Sequence, residues 1–419
     1  MFWSTYSGRQ HCRPCDFFFL FSFFFLYFAQ TCVHATFFFF CCFPQCHLLP
    51  KEAAMYLWDH NFLTLKDSAD PSLEMGPDTE GEEVLLINAR SYTLTGVSAE
   101  KGGLSQGFII KKNKDLQKAG VPPFRVMELD VLRHSADQNH DDWVGLAALI
   151  RENYHKYRGF VINNGKDNMV ATATALSFML ENLGKPVIFT GSCIPPERLY
   201  TDLYRNLIVA LLFASCSQIN EVCILFDERL FRANRTIQIS RSAISPFDSP
   251  HFPPLATMHG KMSIHRTFLR PYPRGQFRVM DNMRDVVLCL KLGPSMRRRV
   301  LLRSVELTEA RAIVIIAYGG GNAPTRGGYM KEIVRKAVER DIAVCVCTQN
   351  LYGSVDLGTY AAGDQLLEVG AVSSRDMTIE ATIMKLKYLI GVGLSTKEIK
   401  RFFGDVSLRG ELTPPASQL

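Results

Sequence analysis

A lysine and an aspartate stand side by side in Asn163-Asn164-Gly165-Lys166-Asp167-Asn168, directly after the apolar run GFVIN. In open α/β sheets, ligands bind at the carboxyl ends of the strands, so this is where an enzyme of that class places its working groups. Other polar, small-residue turns follow apolar runs in the same way. They are Ala89-Arg90-Ser91-Tyr92-Thr93, Thr190-Gly191-Ser192, Tyr318-Gly319-Gly320-Gly321-Asn322-Ala323-Pro324 and Thr348-Gln349-Asn350. Together they predict a cleft. Each alone is equally the sequence of a loop that merely turns, and a fold by itself does not specify a reaction. The triple glycine could suggest phosphate binding, but no Lys-Ser/Thr follows it, so a tight turn is the simpler reading. His11-Cys12 with Cys15, and Cys41-Cys42 with Cys46-His47, have zinc-like spacing inside a strongly biased segment, which makes the signal weak. No metal or organic cofactor is implied.

The elements that must position these turns alternate. VLLINA (84–89) and FRVMELDVL (124–132) read as strands. DDWVGLAALIRENYHKY (141–157) has apolar residues at helical spacing, with two aspartates at its start where the helix dipole favours them. GFVINN is a strand, MVATATALSFMLENLG a helix closed by Gly184, KPVIFTGS a strand, NLIVALLFAS a helix and EVCILFDERLF a strand. After a less regular stretch the alternation resumes with VVLCLKL, a basic helix, ARAIVIIAYGGGNAP, the amphipathic RGGYMKEIVRKAVER, DIAVCVCTQ and the helix TIEATIMKLKYLIG. Strands apolar on both faces, alternating with helices, predict α/β architecture with doubly wound parallel sheets. Two such domains are expected, a larger N-terminal one over 83–260 and a smaller C-terminal one over 284–413. Residues 261–283 read as the linker between them.

The bulk properties exclude little. A chain of 419 residues has room for two or three domains, and 47% hydrophobic residues is ordinary for a globular protein. A net charge of +6, spread along the chain, does not argue for nucleic acid, and Arg297-Arg298-Arg299 with Arg303 reads as a solvated helix face. Cys193, Cys216, Cys223, Cys289, Cys345 and Cys347 sit mostly in apolar runs, as reduced buried thiols do. Residues 1–50 differ from the rest: from Phe17 to Pro50 there is no Asp, Glu, Lys or Arg. Three readings stay open. The tract is a translated pyrimidine-rich non-coding segment and so a gene-model artefact, or a membrane anchor through residues 17–43, or a signal peptide. Residues 51–82 read as a linker.

The segments ALSFMLENLGKPVIFTGS, FDSPHFPPLAT, YGGGNAP, DMTIEATIMKLKYL and LRGELT carry a family resemblance. From about Val84 to Thr413 the chain resembles the cytosolic type of bacterial and animal L-asparaginases. The resemblance implies the two-domain fold, hydrolysis of L-asparagine to L-aspartate and ammonia, a cytoplasmic location, no cofactor, and assembly as dimers or tetramers. It also implies that ankyrin repeats can follow LRGELT, and none follows within this sequence.

The resemblance implies where the working groups belong, and there the chain departs. Members carry Thr-Gly-Gly-Thr after the first strand, with the second threonine as nucleophile; Ala89-Arg90-Ser91-Tyr92 stands in that place, with Thr93 next. A later Gly-Thr-Asp, with a distant lysine, forms a proton relay; Gly165-Lys166-Asp167 stands there, and the lysine's place is taken by Gln238. The segment for the substrate's α-carboxylate reads His134-Ser135-Ala136-Asp137 and keeps its serine, while Asp202 is retained in an Asp-Leu instead of an Asp-Gly pair. Tyr92, Thr93, Lys166, Asp167 and Gln238 are thus the catalytic positions or their neighbours. His134, Ser135, Ala136, Lys166 and Asp167 are the substrate-binding ones. An amidase of this type needs an activated hydroxyl and a base to take its proton. Gln238 accepts no proton at neutral pH, and an ammonium beside a carboxylate is no general base. The expectation is an asparaginase-fold protein with amidohydrolase activity lost or impaired, binding a small amino acid, assembling with itself or with an active relative. Lys166 would then keep the charge balance around Asp167 that the lysine replaced by Gln238 had supplied. The alternative is an active amidohydrolase that uses Thr93 or Tyr92.

Overall fold

A computed structural model of the chain describes residues 81–89, 110–129, 135–196 and 198–414. Arg90 to Thr93, His134 and the first eighty residues, with their zinc-like spacings and the candidate anchor, lie outside the described residues. Among those described, no helix is long and apolar enough to cross a membrane.

The N-terminal lobe is one eight-stranded sheet. Its strands are β1 (Val84–Asn88), β2 (Phe124–Glu128), β3 (Gly159–Asn163), β4 (Val187–Thr190), β5 (Val222–Phe226), β6 (Arg229–Arg232), β7 (Ala256–Met258) and β8 (Met262–Ile264). They lie in the order β8-β7-β6-β5-β4-β3-β1-β2. The five strands from β2 to β5 are parallel, and the sheet order reverses at β1 and β3, whose residues pair Val84 with Gly159 through Asn88 with Asn163. That reversal opens a crevice at the strands' carboxyl ends. β1, β3, β4 and β5 are buried along their whole length, as their continuous apolar runs predicted.

Three local expectations need correction. EVCILFDERLF is not one strand: Asp227 and Glu228 adopt φ of 46° and 62° and fold it into the antiparallel hairpin β5–β6. The sheet is therefore mixed, with β6, β7 and β8 antiparallel at one edge. Two adjacent residues at positive φ match the twist of the flanking strands, and Asp tolerates that conformation. Second, Met262–Ile264 pairs with Ala256–Met258 in this sheet, so the segment 261–283 is not purely a linker. Third, the buried helix does not run to Gly184.

That helix, α2 (Met169–Met179), is apolar on every side and is enclosed. It packs against β5 and against α1 (His140–Asn153). It stops at Met179 because Leu180–Glu181 pairs antiparallel with Arg278–Val279 and Met280 N donates to Met179 O at 2.8 Å. Gly184 serves close approach instead: its N–H donates to the Tyr154 hydroxyl at 2.8 Å, and a Cβ there would meet the Tyr272 hydroxyl at 2.7 Å. Helix α1 starts at His140, with an Asn139–Asp142 capping box, and ends at Asn153, short of the expected Tyr157. α3 (Leu203–Ala214) covers the other face of the sheet.

The C-terminal lobe is a four-stranded parallel sheet of β9 (Val287–Lys291), β10 (Ala312–Ala317), β11 (Ala343–Thr348) and β12 (Val372–Ser373), in sequence order. α4 (Arg298–Leu307) and α5 (Tyr329–Glu339) pack together, and α7 (Ile379–Gly391) lies against α2 of the first lobe. α6 (Ala361–Glu368) and α8 (Thr396–Phe402) complete the lobe. One apolar core runs through both lobes, from Leu85 and Ile162 to Val314, Leu389 and Leu412. The chain's last described turn is pinned by a fully buried ion pair, Lys385 Nζ to Glu411 Oε1 at 2.7 Å. Of the six cysteines of the body, Cys223, Cys345 and Cys347 are buried as expected, whereas Cys289 is exposed on the edge strand β9.

Candidate functional site

The crevice above β1 and β3 is built from amides. At the strand ends the buried Asn163 Nδ2 donates to Asn88 Oδ1 at 2.8 Å, and Ala89 N donates to Asn163 O at 3.0 Å. Asn164 N continues the ladder to Thr190 O at 2.9 Å, and its side chain exchanges hydrogen bonds with Gln138 at 2.8 and 3.2 Å. Gln138 also accepts from the Thr172 hydroxyl at 3.2 Å, while its carbonyl accepts from Asn168 Nδ2 at 3.1 Å. Thr172 in turn accepts from Trp143 Nε1 at 3.2 Å. The single turns Ser135–Asp137 and Lys166–Asn168 are thereby locked together. Sequence reading passed over Gln138 and Thr172. Their signal was a glutamine just before α1 and a threonine within the enclosed helix α2, polar groups that must find partners when buried.

Ser135 is buried and touches Gly165 so closely that a Cβ on the glycine would lie 2.7 Å from the serine Cβ. Gly165 has an ordinary φ of −68°, so close approach is what requires glycine here. The structure thus brings the turn of Ser135 and Ala136 beside that of Lys166 and Asp167. Asp167 is exposed in the turn that opens α2, where the dipole favours a carboxylate whatever its chemistry.

Lys166 is half-buried and does not pair with Asp167. Its ammonium donates to the main-chain carbonyl of Arg241, and among the described residues no ion pair joins it to the aspartate. The expected Lys166–Asp167 charge compensation is corrected accordingly. The lysine instead ties the β3 turn to the loop that begins at Gln238. Gln238 is exposed, on the two-residue ladder that Ile237–Gln238 forms with Phe247–Asp248, and its carboxamide donates to Ser240 O at 3.4 Å. Lys166 and Gln238 therefore both hydrogen-bond carbonyls of one loop.

Asp202 is a support. Its carboxylate accepts from Cys193 N at 3.0 and 2.9 Å, from Ile194 N at 2.9 Å and from Asn206 Nδ2 at 3.1 Å, which fixes the turn after β4. The glycine-rich turn after β10 is also structural. Tyr318 and Asn322 exchange backbone bonds at 3.0 and 2.7 Å, Gly319 and Gly321 have φ of 48° and 107°, and a Cβ at Gly321 would strike Val355 and Leu357. This turn and Thr348–Asn350 lie at the ends of the adjacent strands β10 and β11. Among the described residues no hydrogen bond links them to the Lys166 turn.

The comparisons with known proteins bear on the scaffold that carries these residues. The model of the asparaginase N-terminal domain matches residues 90–270, and that of the glutaminase/asparaginase C-terminal domain matches 286–403. The chain belongs to the asparaginase family. It is 38% identical over 302 residues to L-asparaginase 1 of Escherichia coli strain K12, covering 72% of this chain and 88% of that protein. It is 37% identical over 298 residues to the 60 kDa lysophospholipase of Mus musculus, covering 71% of this chain and 52% of that longer protein. The crystal structure of L-asparaginase I from Vibrio cholerae superposes with a TM-score of 0.72 at 32% identity, over 80% of this chain and 99% of that one. This family member thus keeps the two-lobed α/β scaffold, larger N-terminal and smaller C-terminal, while its candidate site carries Lys166 and Gln238.

Proposed function

We propose that this asparaginase-family protein binds a small amino acid, L-asparagine or L-aspartate, and hydrolyses it poorly or not at all. The observation that carries the reading is the fate of Lys166 and Gln238. The Lys166 ammonium is engaged by the Arg241 carbonyl. Gln238, where the family resemblance places a relay lysine, has a carboxamide that cannot take a proton at neutral pH. A hydroxyl nucleophile without a positioned base forgoes roughly 10²–10⁴-fold in rate. Ser135, packed against Gly165, and the exposed carboxylate of Asp167 remain available to hold the ligand's charged groups. A cytoplasmic location, and assembly with further copies or with an active relative, complete the proposal.

Ligand-induced stabilisation tests the binding half. L-aspartate should raise the melting temperature of the full chain, and Asp167→Asn should reduce that shift while leaving the unliganded stability within about 1 kcal/mol of the parent's. No shift with either amino acid would sink the ligand reading. Ammonia release abolished by Thr93→Ala would sink the impairment.

A further inference from the structure

The outer edge of the C-terminal sheet is unguarded. β9 pairs only with β10, so among the described strands one side of its backbone has no neighbour. Leu292 N donates to Ile316 O at 3.0 Å and Val286 O accepts from Arg311 N at 3.2 Å. With the two-residue period of a strand, this turns the N–H and C=O groups of Val287, Cys289 and Lys291 outward. Natural sheet edges are blunted by charge, proline or a cover. On β2, an edge strand of the N-terminal sheet, the exposed positions are Arg125 and Glu128. β9 instead reads Val-Leu-Cys-Leu before its single charge, Lys291, and follows the exposed Val286.

Helix α4 continues this apolar edge. Its Leu301 and Val305 are buried on the sheet, and Arg298 reaches Glu332 of α5 at 2.8 Å. Helical spacing then leaves Val300, Ser304 and Leu307 on the flank away from α5, which is the β9 side of the lobe. Val300 and Leu307 are 53% and 75% exposed, and the small Ser304 between them has its hydroxyl satisfied by Val300 O at 3.0 Å. The charge order of α4 opposes the helix dipole. Arg297, Arg298 and Arg299 open it without a capping side chain, and Glu306 and Glu309 lie at its end. Of those three arginines only Arg298 has an ion pair among the described residues. A second α4 lying antiparallel supplies what is missing: Arg299 meets Glu306 and Glu309, and Val300 meets Leu307, about the central Ser304.

We propose that a second copy of this chain docks on this edge about a two-fold axis, with β9 pairing antiparallel to its counterpart about Cys289 and the two α4 helices packing through Val300, Ser304 and Leu307. The two four-stranded sheets then become one. A two-fold contact needs a surface complementary to itself, and this one is so in hydrogen bonds, apolar stripe and charge order. The proposal rests on the assembly with further copies proposed above and gives that assembly its surface. Side chains stand perpendicular to the sheet, so the Cys289 thiol projects from the face, not from the edge, and stays open to reagents in the pair.

The test uses the full chain. Light scattering over a dilution series should show a dimer. Strands paired about Cys289 bring its two Cα atoms to about 5.5 Å, so a short bis-maleimide should link Cys289 to Cys289. Peptide mass spectrometry reads that product as a peptide joined to itself, which only two copies can form. Leu307→Lys, at an exposed position outside the core, sets an ammonium beside the second copy's Arg299 and should raise the dimer's dissociation constant by roughly tenfold or more. A dimer without the Cys289 link and indifferent to Leu307→Lys overturns this surface and leaves assembly through another face. A monomer at every concentration up to about 100 µM overturns the assembly reading with it.

Discussion

Replacing Glu411 by glutamine should cost this fold far more than an isosteric change usually does. Glu411 is fully buried and accepts from Lys385 Nζ at 2.7 Å, from Leu408 N at 3.0 Å and from Arg409 N at 2.6 Å. Burial alone would raise its carboxyl; the Lys385 ammonium and the two backbone N–H groups overcome that and hold it down to about 2. Lys385 is equally buried, with Phe403 O at 2.8 Å and Val406 O at 2.5 Å as its other acceptors. Glutamine would leave that ammonium without its counter-ion, and breaking such a pair costs about 3–5 kcal/mol. For a body of this size that is a fall of about 4–7 °C in melting temperature at neutral pH. The double variant Lys385→Met with Glu411→Gln should recover much of the loss, since it buries no orphaned charge. The pH dependence has a definite sign. The folded carboxyl lies below its unfolded value of 4.5, so the stabilisation is full above about 4.5 and is lost as pH falls through about 2. The gap between parent and Glu411→Gln should close over that window. Thermal melts of the four proteins across pH supply the cycle. Single-variant losses that merely add in the double variant would refute the coupling, and a Glu411→Gln protein as stable as the parent would refute the whole argument.

Three further outcomes are expected. Lys166→Thr combined with Gln238→Lys should raise ammonia release from L-asparagine by roughly 10²-fold or more over the parent, in a coupled assay, if a missing relay limits the chemistry; Lys166→Thr alone should leave the rate at the parent's level. Gly165→Ala should push Ser135 out of place, destabilise by about 1–3 kcal/mol in urea unfolding and remove the L-aspartate-induced shift. A thiol reagent should label exposed Cys289 in the native protein, whereas buried Cys223 and Cys345, whose thiols burial raises well above their ordinary value, should react only on unfolding. Rapid labelling of all three would contradict the described core.

The sequence made the architecture legible because the buried strands are apolar runs of fitting length and the helices between them carry their own period. It misled where side-chain pattern says little about backbone. Nothing apolar marks Asp227-Glu228 as a hairpin, and Gly184 looked like a helix stop when its small size serves Tyr154 and Tyr272 instead. At the candidate site, Lys166 and Asp167 were singled out by their types at a strand end, and Ser135 by the family resemblance. The partner of Lys166 was not, because a main-chain carbonyl from a loop 75 residues away leaves no trace in residue type. The buried partners of LRGELT were equally hidden, because Asn234 and Arg235 reach its carbonyls only once the segment folds back onto the first lobe.

Lys166 and Gln238 are proposed to leave this family member without a working proton relay. Ammonia release from L-asparagine by the purified full chain at high concentration tests it most directly. Release should be indistinguishable from the protein-free control, alongside an L-aspartate-induced rise in melting temperature. A time course that scales with protein and vanishes in Thr93→Ala would contradict it and make the chain an active amidohydrolase.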